Sequence, residues 1–114
     1  MLSKKIIGNR GETAAANYLQ NQGWQIMTRN HRLGSKEIDL IANKNNRISL
    51  FEIKTRRKNS ACQLISEKQK AILRQAHLIF CEQNKLDAQL VDYGLIIINY
   101  DQETADLNYY LNFL

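Results

Sequence analysis

Proline is missing from all 114 residues, and only five glycines and two cysteines are present. Without proline or a Gly/Ser-rich stretch there is no linker. No repeat or low-complexity tract interrupts the chain either, so residues 1–114 read as one domain. Cys62 and Cys81 form no CxxC pair, so a disulfide framework is not expected and the thiols read as reduced bystanders. Long hydrophobic runs are also missing: "GLIIIN" and its neighbours fall far short of a membrane span. The start, "MLSKKIIGNRGE", has two lysines but neither an apolar signal core nor a small-residue cleavage pattern. These absences lead to the expectation of a cytoplasmic protein with no membrane partner. "GNRG" lacks the GK[ST] ending of a P-loop, and no GxSxG occurs, which leaves out two common catalytic frameworks.

What is there is charge, unevenly placed. The net charge is +5 and the pI about 9.4. Residues 1–74 hold 15 lysines and arginines against 5 acids, whereas residues 75–114 hold 1 against 6. A solvated surface of uneven charge is the plain alternative. A basic working surface facing a polyanion, nucleic acid above all, is the sharper one.

Periodicity sets the order of elements. "NRGETAAANYLQNQG" reads as a helix with Asn9 as N-cap, Ala15, Tyr18 and Leu19 as an apolar stripe, and Gly23 just past its end. "WQIMTRN" (24–30) is a short strand, followed by a polar loop. "KEIDLIAN" (36–43) and "RISLFEIKTR" (47–56) flank the turn signal "NKNN" and form a hairpin. After the loop "KNSACQL", "SEKQKAILRQAHLIFCEQN" (66–84) opens with a Ser66–Gln69 capping box and is expected to bury Ile72, Leu73, Ala76 and Phe80. "DYGLIIINY" (92–100) reads as a strand covered on both faces, joined to the third by a right-handed parallel crossover. The tail "ADLNYYLNFL" is expected to be a short helix on the sheet. The class is α/β, with order α-β-β-β-α-β and a mixed sheet.

Within the third strand, Glu52 and Lys54 interrupt an apolar stretch. Residues two apart share a face, so the acid and the amine are neighbours. Asp39 precedes the turn by about as many residues as Glu52 follows it. The hairpin therefore sets the two carboxyls nearly opposite, at the ~4.5–5.5 Å Cβ spacing of cross-strand partners. Carboxylates that close repel unless a cation lies between them. A Mg²⁺-type ion takes oxygen donors and often uses only one or two carboxylates. With Lys54 to hold a phosphate, Asp…Glu-x-Lys is a compact kit for phosphodiester hydrolysis. The plain alternative is an intrastrand salt bridge of little energetic weight.

"RGETAAANYLQNQGW", "TRNHRLGSKEIDLIA" and "LFEIKTR", in this order and spacing, resemble the YraN-like family of small bacterial proteins. That family is similar to archaeal Holliday junction resolvases, within the PD-(D/E)xK or restriction-endonuclease-like nucleases. The resemblance implies a restriction-endonuclease-like core and a Mg²⁺- or Mn²⁺-dependent endonuclease acting on structured, branched DNA. It further implies a homodimer suited to paired cuts. Carried onto this chain, it gives Glu12, Asp39, Glu52 and Lys54 as the catalytic set. Asp39 and Glu52 become the direct metal ligands, the Ile53 carbonyl a third donor, and Glu12 a further ligand or a contact through water. Glu12 also fits the N3 place of a capping box begun by Asn9. Two departures are visible: Lys36 stands where the family has glycine, and "LVDYGLI" keeps Asp92 but not the family's arginine.

Arg29, Arg32 and Lys36 beside the hairpin, Arg56, Arg57 and Lys58 at its end, and Lys68 and Lys70 on the second helix are the expected phosphate contacts. His31 and Arg74 belong to the same surface. Trp24 and the Tyr109–Tyr110 pair suit core packing or a subunit contact better than base stacking. His77 and Cys81 have a zinc-compatible spacing but no second pair to complete four ligands. Two other readings remain. One is a nucleic-acid-binding protein without chemistry on the same fold; the other is an assembly module joined through "NYYLNFL".

Overall fold

The computed structural model describes residues 4–58 and 66–112, with the side chains of 4–9 left aside. Helix α1 (Lys4–Asn21) leads into strands β1 (Gln25–Leu33), β2 (Lys36–Lys44) and β3 (Arg47–Arg57). Helix α2 (Glu67–Gln83), a 3₁₀ turn (Ala88–Leu90), β4 (Val91–Tyr100) and β5 (Ala105–Leu111) follow. The five strands form one sheet in the order β1-β2-β3-β4-β5. All neighbours are antiparallel except β3 and β4, which run parallel as the intervening helix requires. The α-β-β-β-α-β order and the mixed sheet are those expected from the sequence.

Local chemistry explains most boundaries. The β2–β3 hairpin closes at Lys44↔Arg47 around Asn45 and Asn46, both with positive φ (54° and 64°). That is the backbone a two-residue primed turn needs, and asparagine tolerates it. Ser66 and Gln69 form the capping box reciprocally, each side chain meeting the other's backbone N–H at 3.1 Å. Alternation then divides the core between the two helices. Leu40, Ala42, Phe51, Ile96 and Ile98 face Ala15, Ala16 and Leu19 of α1. Ile41, Leu50 and Val91 face Ala76, Phe80 and Cys81 of α2. Gly11 and Gly94 permit close approach. A Cβ on Gly94 would stand 2.7 Å from the Phe51 ring, and one on Gly11 would collide with the Thr55 methyl.

Four expectations are corrected. The tail is not a helix but β5, an edge strand whose Leu107 and Tyr109 pack on the α1 side. α1 begins at Lys4, so Asn9 is not its cap and Glu12 is no capping-box residue. Residues 31–33 continue β1 rather than looping, with the turn displaced to Gly34 and Ser35. Ile72 is 42% exposed instead of buried. Most of the "KNSACQL" loop, including Cys62, lies outside the described residues. Cys81 is a buried free thiol. Among the described residues no helix is long and apolar enough to cross a membrane.

Candidate active site

The site arises where the sheet splits. β2 and β3 pair from Lys44↔Arg47 back to Leu40↔Phe51 and no further. β1–β2 runs on to Leu33↔Lys36, and β3–β4 runs on to Arg57↔Tyr100. Asp39 and Glu52 are the first residues past the last β2–β3 pair, at the crotch between two diverging branches. There the Ile53 amide donates to Asp39 Oδ2 at 2.8 Å. The side chain thus takes up a backbone donor that the parting strands would otherwise leave unpaired.

The split has a counterpart on β1. Asn30 has φ 53° and falls between the pairs Arg29↔Leu40 and His31↔Ile38. Across it the strand changes face. Arg29 reaches Thr13 on α1 at 3.3 Å, while the His31 ring, two residues on, packs edge-on against Phe80 of α2. Ile38 and Leu40 likewise belong to opposite cores. This roll brings an α1 residue, Glu12, into electrostatic range of Asp39.

The electrostatics follow from that crowding. Burial, and then the negative charge of Asp39, push the Glu52 carboxyl up to about 8, with Lys54 opposing. Burial also raises Asp39, against the pull of the Ile53 amide and of a hydrogen bond from Glu52. The two carboxyls hydrogen-bond each other, and crowding at the fork raises both. Lys54 Nζ lies 3.9 Å from Glu52 Oε1, a loose pair on the shared strand face. Glu12 is raised by burial and by Asp39, while Asn30 and Arg29 oppose; the Arg29 guanidinium is 3.8 Å from its Oε2. Among the described residues no group of three or more His, Cys, Asp and Glu side chains gathers as a ligand cluster. Asp39, Glu52 and Lys54 thus come together, with Glu12 at the margin and held by Arg29.

The basic residues divide. Arg57 and Lys68 are exposed, and Arg32, 72% exposed, makes a loose 3.9 Å contact with Glu37. Lys36 is half-buried at the start of β2. Arg56 donates to Asn99 at 2.6 Å, and Lys70 pairs with Glu67 at 3.2 Å. Lys58 is enclosed by Asp101 and Asp106, at 3.6 and 3.4 Å. Trp24 and Tyr109 belong to one aromatic cluster with Phe51. His77 is buried, its Nε2 meeting the Val91 carbonyl at 2.7 Å, a structural contact. Asp92 has recovered an arginine from elsewhere: Arg47 binds it at 2.7 and 3.0 Å. Hydrogen bonds from Arg47 hold its carboxyl below the ordinary range. Sequence reasoning missed Asn30, whose signal was an asparagine at a strand position where a left-handed residue is tolerated.

The described residues thus form a mixed sheet that splits between two helices, with Asp39, Glu52 and Lys54 at its fork. The solved Holliday junction resolvase Hjc of Archaeoglobus fulgidus has a similar fold: TM-score 0.55 over 90% of this chain and 74% of that one, at 13% identity. The chain belongs to the uncharacterised protein family UPF0102, whose model matches residues 11–98. A UPF0102 protein of Chlorobium chlorochromatii is 42% identical over 83 residues, 68% of this chain and 64% of that protein. One from Vibrio campbellii is 30% identical over 115 residues, 98% of this chain and 94% of its own. The chain thus spans just under two thirds of the Chlorobium relative and nearly all of the Vibrio one.

Proposed function

We propose that this protein is an endonuclease hydrolysing phosphodiester bonds in structured, including branched, DNA, with Mg²⁺ or Mn²⁺ at the fork. The observation that carries the reading is the meeting of Asp39 and Glu52 past the last β2–β3 pair, with Lys54 alongside. Two half-buried carboxyls that crowd each other this closely are eased by a cation between them. The donors are oxygens and few, which suits an ion that retains waters and takes substrate phosphate, unlike the four-ligand structural zinc site.

Asp39 and Glu52 would hold the ion, with the Ile53 carbonyl as a further donor and Glu12 acting through water. Such an ion, when bound, polarises a phosphoryl oxygen and lowers the pKa of water. Asp39 is kept in one orientation by the Ile53 amide, so its second oxygen is aimed before substrate arrives. Lys54 would sit against a non-bridging oxygen and offset the charge that grows there during attack. Arg29, Arg32 and Lys36 on one branch, with Arg57 and Lys68 on the other side, would supply phosphate contacts that confer affinity without reading sequence. A homodimer suits two symmetric cuts, and the cytoplasm suits the substrate.

Labelled four-way junction, flap and single-stranded DNA, incubated with and without Mn²⁺, test the reading. Wild type should cut at least one structured substrate only when the metal is added. Asp39→Ala should lose on the order of 10²–10³ in rate, as removal of a charge-stabilising group does. Identical behaviour of the two proteins on every substrate would end the catalytic reading. A binding protein without chemistry would then remain, and calorimetry should find no Mg²⁺ or Mn²⁺ uptake in the millimolar range.

A further inference from the structure

Beside the fork lies a cavity of about 210 Å³ lined by Glu37, Glu52, Gln69, Ile72, Leu73 and Ala76. One wall is acidic and comes from β2 and β3; the other is the apolar first half of α2. The cavity includes Glu52, so any group that fills it touches the catalytic acid. Ile72 is 42% exposed, although its helical spacing predicts core, and it belongs to neither buried cluster. Gln69 is fixed at the rim: its Oε1 accepts the Ser66 N–H at 3.1 Å, which orients the side-chain amide.

Size and chemistry narrow the occupant. The volume is below the ~300–1,000 Å³ of sites for drug-sized ligands, so it admits one planar group and no base pair. The occupant must present an apolar face to Ile72 and Leu73. Among the described residues the Glu37 carboxylate pairs with Arg32 at 3.9 Å and is otherwise open to a hydrogen-bond donor on the occupant. The occupant has to be covalently near a phosphate, because Lys54 follows Glu52 on the same strand face. An unpaired nucleobase meets all three demands, whereas bases in a duplex keep their faces stacked and their edges paired.

We propose that this cavity is a base pocket that takes one unpaired, amino-bearing nucleobase next to the scissile phosphate, with Ile72 and Leu73 against its face and Glu37 accepting from its amino group. The inference rests on the nuclease reading and deepens it: strand separation at the cut, not branching as such, becomes the recognised feature. Ile72 is then a specificity residue, and Glu37 favours cytosine or adenine over thymine, as carboxylates that accept from base amino groups do.

Flap substrates are compared that carry cytosine, thymine or an abasic site at the unpaired position beside the cut. For wild type, the abasic substrate should lose roughly five- to a hundred-fold in kcat/KM, the range of one lost base contact. Ile72→Asp should lose a similar factor on the cytosine substrate and nothing further on the abasic one. Ile72→Ser repeats the comparison, and thermal melts verify that both variants fold. Equal cleavage of cytosine and abasic substrates by wild type overturns the pocket while leaving the nuclease reading intact. A second readout needs no catalysis: 2-aminopurine at the same position should brighten on binding wild type and not on binding Ile72→Asp. Brightening without cleavage upholds the pocket and defeats the catalytic reading; absence of brightening defeats the pocket.

Discussion

The Ile53 amide donates to the Asp39 carboxylate just beyond Leu40↔Phe51, the last pair of the β2–β3 ladder. A side chain there does what a strand partner would have done. Two consequences follow together: the sheet can open without orphaning a buried donor, and one oxygen of Asp39 is immobilised. Substituting Asp39 therefore removes both a charge and the clasp of the fork. Asp39→Asn retains an oxygen acceptor, so it should melt close to wild type while cleaving as poorly as Asp39→Ala. Melting curves and rates taken side by side check this.

The raised Glu52 carboxyl makes metal-free stability depend on pH. Glu52 rises from its ordinary 4.5 to about 8, so the folded protein binds a proton that the unfolded chain releases. Its contribution is complete below pH 4.5 and is lost as pH climbs through about 8. The amount is at most about 5 kcal/mol. In EDTA, the melting temperature should fall across that window for wild type, and less steeply for Glu52→Gln. Adding Mn²⁺ should recover more stability at pH 8 than at pH 5, because the ion competes with the proton.

Gly11 sets the distance of α1 from β3, and with it the reach of Glu12. Gly11→Ala would gain about 1 kcal/mol in helix propensity. The new Cβ meets the Thr55 methyl, however, and overpacking of this kind costs about 1–3 kcal/mol. The clash should win, lowering the urea midpoint. Gly11→Ala combined with Thr55→Ser, which removes that methyl, should recover most of the loss.

Phosphate contacts should not be equal among the lysines. Lys58 is already enclosed by Asp101 and Asp106, whereas Lys68 is exposed on α2. Replacing Lys68 with alanine should lower the salt slope of DNA binding by about 1. Lys58→Ala should leave that slope unchanged while loosening the β4–β5 turn. Anisotropy titrations at several salt concentrations distinguish the two.

Ser49 is fully buried, and its hydroxyl has no hydrogen-bond partner among the described residues. A buried polar group without a partner costs about 1–3 kcal/mol. Ser49→Ala should thus stabilise the protein by about 1 kcal/mol, read as a higher urea midpoint with an unchanged slope.

Much of this architecture is written in neighbouring residues. Alternation marked β2, a continuous apolar run marked β4, the Ser66–Gln69 pair marked the start of α2, and the "NKNN" turn signal implied that Asp39 would face Glu52. Each depends on contacts within a few residues, or across one tight turn whose symmetry fixes the register. Other features had no local signal. "ADLNYYL" suits a helix or a strand, and only the exposed edge of β4 decided for the strand. The roll at Asn30, the exposure of Ile72 and the capture of Lys58 by Asp101 and Asp106 likewise depend on partners distant in the chain. Periodicity and turn chemistry thus determined the elements from α1 to β4 and the opposed acids. The opening of the sheet, the raised carboxyls and the cavity were decided by tertiary packing, because burial and charge pairing are properties of what surrounds a residue, not of its position in the chain.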